Sequence, residues 1–327
     1  MAMLGKNNTI TDVAGIKVGH SADERVRTGV TVILPDERAV CAVDVRGGGP
    51  GTRETDALAA HTLVDAVDAV VLSGGSSYGL AAMDGVAAAL GARGQGFGLV
   101  DLPGVPKSPV VPGAILYDLA NGGDKAWGED PPYRALGQQA LANVSTEVEL
   151  GRAGAGFGAM AGQRPGGIGS ASIVSDDGFT IGAIVGVNAF GSVMMPGTDA
   201  FWAWPWEIDG EFGGQRPPAD WSAEPEDWGE AKINPAAREN TTIACIATDA
   251  DLTPGQAQRL AIMAQDGFAR AIRPVHTPFD GDVVFALSTG RKALGEKADF
   301  TLTRLGSLAA DCLARAVARG VFEASKA

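Results

Sequence analysis

Histidine and cysteine are scarce in this chain, with three of each in 327 residues. Cys41, Cys245 and Cys312 sit singly in apolar runs, without the paired spacing of a zinc site or a disulfide framework, and are expected as buried free thiols. His20, His61 and His276 form no His-x-x-x-His pair, so the sequence gives no ground for a bound transition metal, and no cofactor is expected. Chemistry is left to hydroxyls, amides and carboxylates. Basic clusters are missing too. With 26 Lys and Arg against 39 Asp and Glu, the net charge of −13 argues against nucleic acid or an anionic membrane surface as a partner. No run approaches the roughly 18 apolar residues of a membrane-spanning helix. Residues 1–8 lack the apolar core of a signal peptide, and a cytoplasmic protein is expected.

Glycine, by contrast, is abundant: 46 residues, about twice the usual share. The front of the chain reads as short β-branched strands over 29–34, 39–45 and 69–72, each bounded by Gly, Pro or Asp. The run Arg46-Gly47-Gly48-Gly49-Pro50-Gly51-Thr52-Arg53 can be the interior of neither helix nor strand and is expected as a loop. Ser73-Gly74-Gly75-Ser76-Ser77-Tyr78-Gly79 then leads into a small-residue helix over 80–90. A second glycine cluster, 151–158, precedes Gly166-Gly167-Ile168-Gly169-Ser170-Ala171-Ser172, and a strand over 180–187 ends at Asn188. None of these makes a dinucleotide-binding fingerprint, because no strand leads into the first cluster at the required spacing.

Residues 201–235 change character, with Trp202, Trp204, Trp206, Trp221 and Trp228 among many Pro, Asp, Glu and Gly and no period, and read as a long irregular connection. Order returns as a strand over 242–247, a helix over 254–272, a strand over 283–288 and a helix over 303–322. Two strands are too few to stand alone, so this sheet is expected to merge with that of the front segment into one domain over 1–327.

The junction Arg238-Glu239-Asn240-Thr241-Thr242-Ile243 runs a polar segment into a strand. Threonine is common at strand starts. Cleavage between Asn240 and Thr241, however, would leave a free amine beside a hydroxyl, a nucleophile with its own base, and would divide the chain into 1–240 and 241–327. Asp280 and Asp282 open the next strand and, two apart, can point to one face, where they either cap a turn or tune such an amine. Asn188, at a strand end, is either a turn residue or a donor to a developing oxyanion. Tyr78 either approaches a nucleophile or covers a core edge. The rival enzyme reading uses Gly75-Ser76-Ser77-Tyr78-Gly79 as a G-x-S-x-G elbow, with Ser77 as nucleophile, His276 as base and Asp249 or Asp251 as third member. A binding protein that keeps the fold without catalysis is the remaining alternative.

Taken together, Thr11-Asp12-Val13-Ala14-Gly15-Ile16, Val43-Asp44-Val45-Arg46-Gly47-Gly48, Leu72-Ser73-Gly74-Gly75-Ser76-Ser77-Tyr78-Gly79, Gly154-Ala155-Gly156, Asn240-Thr241-Thr242-Ile243, Pro274-Val275-His276-Thr277 and Asp280-Gly281-Asp282 resemble the P1 (S58) peptidase family of L-aminopeptidase/D-esterases, β-peptidyl aminopeptidases and nylon-oligomer endohydrolases. The resemblance implies an α/β fold, a layered αββα-type sandwich similar to N-terminal nucleophile hydrolases with its own connectivity. It implies a precursor that cuts itself at Asn240/Thr241, with Thr241 as nucleophile, Asp280 and Asp282 as the paired positions near it, Asn188 as the oxyanion asparagine and Tyr78 lining the site. It further implies a small peptide, amide or oligoamide substrate and a homo-oligomer of cleaved α/β pairs. Two departures stand out. The endohydrolase's lysine after its Gly-Ala-Gly segment is missing from Ala161-Gly162-Gln163-Arg164-Pro165, so its role is lost or passes to Arg164. No acid before Asp118 matches the glutamate with which the aminopeptidases hold a substrate amine, which points toward endo-type amidases.

Overall fold

The computed structural model describes residues 2–98, 100, 102–232 and 240–326. In chain order the first strands are β1 (Ile16–Asp23), β2 (Thr28–Pro35), β3 (Val40–Val45), β4 (Thr52–Arg53), β5 (Val70–Ser73) and β6 (Gly113–Ile115). They are followed by β7 (Met160–Ala161), β8 (Arg164–Pro165), β9 (Gly167–Val174), β10 (Thr180–Asn188), β11 (Thr241–Ala250) and β12 (Val283–Lys292). The helices are α1 (Ala81–Ala92), α2 (Tyr133–Ala142), α3 (Pro254–Ala264), α4 (Asp266–Ala271) and α5 (Ala298–Ala324).

One sheet runs β1-β2-β5-β6-β4 and the other β3-β12-β11-β10-β9, with β7 and β8 as a small separate ladder. Ile33, Leu72 and Ala114 of the first sheet meet Ile184, Ile243, Cys245 and Phe285 of the second in a core between the sheets. A second core lies between β9–β12 and helices α3 to α5, and a third between β2, β5 and helices α1 and α2. The layers are therefore helix, sheet, sheet, helix, the αββα sandwich expected from the resemblance. Strand alternation fixes which way each residue of β11 looks: Ile243, Cys245 and Ala247 join the core between the sheets, whereas Ala244 and Ile246 join the helical side. Burial on both faces explains the unbroken apolar run from Ile243 to Ala247 in β11. As expected, the C-terminal segment has no sheet of its own, since β11 and β12 lie between β10 and β3.

Four elements depart from the sequence reading or were absent from it. Gly166 to Ser172, assigned to no element in the sequence, is mostly strand β9, onto whose backbone α5 packs directly: a Cβ on Gly169 would lie 1.8 Å from the Ala316 carbonyl oxygen. The helix expected over 254–272 breaks at Gln265 into α3 and α4; Gly267 there sits where a Cβ would come 2.5 Å from the Ala310 oxygen of α5. Strand β1 and helix α2 carried no clear pattern in the sequence. Among its described residues, 201–232, the Trp-rich connection is irregular as expected, with one 3-10 turn at Trp204–Trp206.

That connection is nevertheless anchored. Glu211 accepts from Arg315 of α5 at 2.5 and 2.9 Å, and the same guanidinium donates to Asn8 Oδ1 at 2.8 Å. Arg315 is fully buried, so removing one partner strands a charge in the interior. Glu211→Ala should lower the unfolding free energy by about 3–5 kcal/mol, while a Glu211→Met/Arg315→Met pair should recover most of it. Urea unfolding checks this; an unchanged midpoint for Glu211→Ala would contradict the anchoring.

Candidate active site

Thr241 opens β11 and is almost fully buried, with Asn188 as its antiparallel register partner at the end of β10. Register partners share a face, so both side chains belong to the side between the sheets. On the other side of β11 lies the parallel neighbour β12, and just before it Asp280 forms a bridge with Asn240. Asp280-Gly281-Asp282 thus precedes β12 rather than forming its first residues as the sequence suggested. The junction is held on both flanks by hydrogen bonds. Gly281 N–H donates to the Asn240 carbonyl oxygen at 3.0 Å, the Thr241 hydroxyl donates to the same oxygen, and Thr242 N–H donates to Asp282 Oδ1 at 2.8 Å.

The two carboxylates work through backbone amides. Asp282 Oδ2 accepts from the His276 amide at 3.1 Å and contacts His276 Nδ1 at 2.8 Å. Asp280 accepts from Phe190 N–H at 3.1 Å, from Thr277 N–H at 3.1 Å and from the Thr277 hydroxyl at 2.6 Å. Among the described residues neither is hydrogen-bonded to the Thr241 hydroxyl. Beneath them the Gly47-Gly48-Gly49 loop binds their backbone, with Gly49 N–H donating to Asp280 O at 2.7 Å and Gly47 N–H to Asp282 O at 3.3 Å. A Cβ on Gly47 would lie 2.3 Å from the Asp282 nitrogen, so only glycine permits this approach. Burial first, and the Asp282 charge second, push the Asp280 carboxyl up to about 6.

Asn188 is fixed at both ends of its amide: Oδ1 accepts from Met160 N–H at 2.9 Å and Nδ2 donates to Tyr117 O at 2.9 Å. Its side lines a cavity of about 140 Å³ with Tyr117, Asp118, Met160 and Lys232. The Asn240 side chain, by contrast, is fully buried with neither polar atom hydrogen-bonded, and the Thr242 hydroxyl beside it is in the same position.

Of the residues picked from the sequence, Asn188, Asn240, Thr241, Asp280 and Asp282 come together. Tyr78 stands apart, half exposed and edge-on to Trp127 at 5.6 Å, with no hydrogen bond or ring contact to the others among the described residues. Arg238 and Glu239 lie outside the described residues. The elbow is not assembled: Ser77 is exposed and unconnected to a histidine among the described residues, and His276 is held by Asp282. Asp249 lies near the far end of β11, bound to Thr180 N–H and Lys292. Arg164 is paired with Glu230, 2.9 Å at its second contact, and Lys232 reaches the Asn188 carbonyl oxygen at 3.4 Å. Sequence reasoning missed Lys232, Thr277, the Gly281 amide and the pairing of His276 with Asp282. The last two were signalled by their position around the acid pair.

The αββα sandwich is the layering of the N-terminal nucleophile hydrolase fold. The L-aminopeptidase D-Ala-esterase/amidase of Ochrobactrum anthropi, described as a variant of that fold, superposes with a TM-score of 0.66 at 22% identity, over 98% of this chain and 87% of its own. Peptidase family S58 matches residues 8–327, and the chain belongs to that family. It is 44% identical to an uncharacterized aminopeptidase of Mycobacterium tuberculosis (97% of this chain, 94% of that protein). It is 32% identical to a 6-aminohexanoate-oligomer endohydrolase of a Kocuria species (87% of this chain, 76% of that protein). The protein is accordingly a hydrolase acting on amide bonds.

The folded chain holds the Asp280 proton to about pH 6, whereas an unfolded aspartate releases it near 3.8. Folding therefore takes up a proton between those values, and the Asp280 contribution to stability falls as pH rises through that window. Asp280→Asn removes it, so from pH 4 to pH 7 the unfolding free energy of the variant should gain on that of the wild type. Urea titrations at both pH values read this directly, and a difference that does not change with pH would contradict it.

Proposed function

We propose that the protein is made as a precursor that cuts itself between Asn240 and Thr241 and then hydrolyses peptide or oligoamide bonds with Thr241 as N-terminal nucleophile. The observation that carries this reading is the Asn240 carbonyl group, whose oxygen is held by Gly281 N–H while the Thr241 hydroxyl lies against it. Attack by that hydroxyl on the carbonyl carbon forms an Oγ–C bond and breaks the C–N bond, leaving the amine on Thr241. Gly281 N–H stays on the oxygen as charge develops there. Water then hydrolyses the ester, returning a proton to Oγ and leaving a carboxylate on Asn240.

The uncut state also carries a penalty. Each buried polar group without a partner costs about 1–3 kcal/mol, and the Asn240 amide holds two such atoms. Cutting frees that residue to leave the interior. In the cut enzyme the Thr241 amine takes the hydroxyl proton during attack on a substrate and passes it to the leaving amine, so one residue serves as nucleophile and base. Asp282, fixed by His276 and bonded to Thr242 N–H, and Asp280, fixed by Thr277, keep β11 in place and set the charge around that amine. Asn188, facing the same side as Thr241, is the side-chain donor for the substrate oxyanion.

The names of the relatives support both peptides and oligoamides as substrates. The oxygens of Asp118, which lines the cavity beside Asn188, are taken by Gly75 N–H at 2.8 Å and the Thr28 hydroxyl at 2.6 Å, which supports a site that does not demand a free substrate amine. With this reading go a single-domain precursor, a cytoplasmic location and an oligomer of cleaved pairs.

Intact mass of the purified protein should show two chains, 1–240 and 241–327. Thr241→Ala should stay whole and lose activity by a factor on the order of 10³ or more, while Thr241→Ser should still cut. One full-length chain after long incubation contradicts the proposal, as does full activity in Thr241→Ala together with its loss in Ser77→Ala. Among p-nitroanilides, those with acetylated amines should be cleaved along with those with free amines. Cleavage of free amines alone would contradict the Asp118 argument.

A further inference from the structure

The cavity beside Asn188 does not end there. It shares Ala120, Asn121, Gly158 and Met160 with a second one of about 360 Å³, so the two form one cleft leading away from the Thr241 junction. At the far end stand Arg27 and Arg152; the Arg152 guanidinium lies 5.7 Å from the centre of the Phe157 ring, which lines the same wall. Neither arginine has an acidic partner among the described residues. Lys125 lies behind the lining, its ammonium 2.9 Å from Oδ1 of Asn121, donating also to the Val26 carbonyl oxygen and in the field of Asp118, Asp23 and Asp124. Lys232 stands at the Asn188 end. The one acid in the lining among the described residues is Asp118, buried at the base with both oxygens hydrogen-bonded.

This is an unusual place for cations to gather. The chain carries a net charge of −13, and its other arginines are largely matched to carboxylates, as Arg25 to Asp124 and Arg304 to Asp177 are. Guanidinium groups left without a carboxylate along a concave wall, one of them stacked on an aromatic ring, form a ready receptor for carboxylates. The cleft concentrates that positive field against the negative field of the remaining surface.

We propose that this cleft is an anion subsite and that the amides hydrolysed at Thr241 belong to carboxylate-bearing chains, an acidic peptide or an oligoamide with a terminal carboxylate, whose acid groups are held by Arg27 and Arg152. The proposal rests on the reading of Thr241 and Asn188 as the reacting centre. It adds the chemical class of the chain that reaches them.

Calorimetric binding to the purified protein at low salt tests it with three N-acetylated peptides. They are triglutamate with an amidated C-terminus, triglutamine with a free C-terminus, and triglutamine with an amidated C-terminus. At least one of the carboxylate-bearing peptides should bind about tenfold or more tighter than the neutral one, a gain that shrinks with added salt. Which of the two gains tells side-chain from terminal carboxylates. In Arg27→Gln/Arg152→Gln the preference should collapse while the neutral peptide binds as before. Equal binding of all three peptides, or an undiminished preference in the double variant, overturns the proposal. The outcome is separate from that for Thr241: a chain that intact mass shows to be uncut defeats the nucleophile reading, whereas the peptide comparison still reports on the cleft.

Discussion

The structure depends on how one peptide bond is gripped. The Asn240–Thr241 bond lies where a central strand begins, with Asn188 of β10 on one side and the Asp280-Gly281-Asp282 turn on the other. Gly281 N–H fixes the carbonyl oxygen before the bond, and Asp282 fixes the amide of Thr242 after it. A bond held on both sides has little freedom to move away from the hydroxyl beside it, and orientation of this kind can supply much of the barrier lowering that an acyl transfer needs. The remainder of the fold serves this grip. The inter-sheet core seats β11 from one face, α3 to α5 press on it from the other, and the Gly47–Gly49 loop clamps the turn from below.

The electrostatics follow from the same packing. Two carboxylates close together inside the protein cannot both ionise freely, and here one is given two amides and a histidine while the other is pushed up to about 6. Below about pH 6 the turn therefore carries less negative charge than its composition suggests, near the place where the proposed cut would leave an amine. Around the corner, the cleft past Asn188 brings Arg27 and Arg152 to one wall of an otherwise acidic protein. In the proposed reading the junction concerns bond breaking, and the cleft concerns which chain arrives there.

Much of this was legible in the sequence. The strands around 29–34, 180–187 and 242–247 announced themselves by β-branched runs between glycine turns, and Asn188, Thr241 and the acid pair were found because each stands at the end or threshold of such a run. What stayed hidden has physical causes. Strand β9 was assigned to no element in the sequence because its glycines admit the backbone of α5, a long-range demand that leaves no local period. Lys232 sits in an irregular stretch, and only tertiary folding brings it to Asn188. His276 was assigned to the rival elbow as the sole downstream histidine, although its place six residues before Asp282 was the better clue. Arg27 and Arg152 are 125 residues apart in the chain, and no spacing rule joins them.

The most direct measurement is the site of the covalent intermediate. The purified protein should be mixed briefly with an activated p-nitrophenyl ester, quenched in acid, digested and mapped by mass spectrometry. The acyl group is predicted on the peptide that begins with Thr241 as its own N-terminus. Acylation of the peptide containing Ser77, or of a peptide in which Asn240 and Thr241 are still joined, would contradict the account.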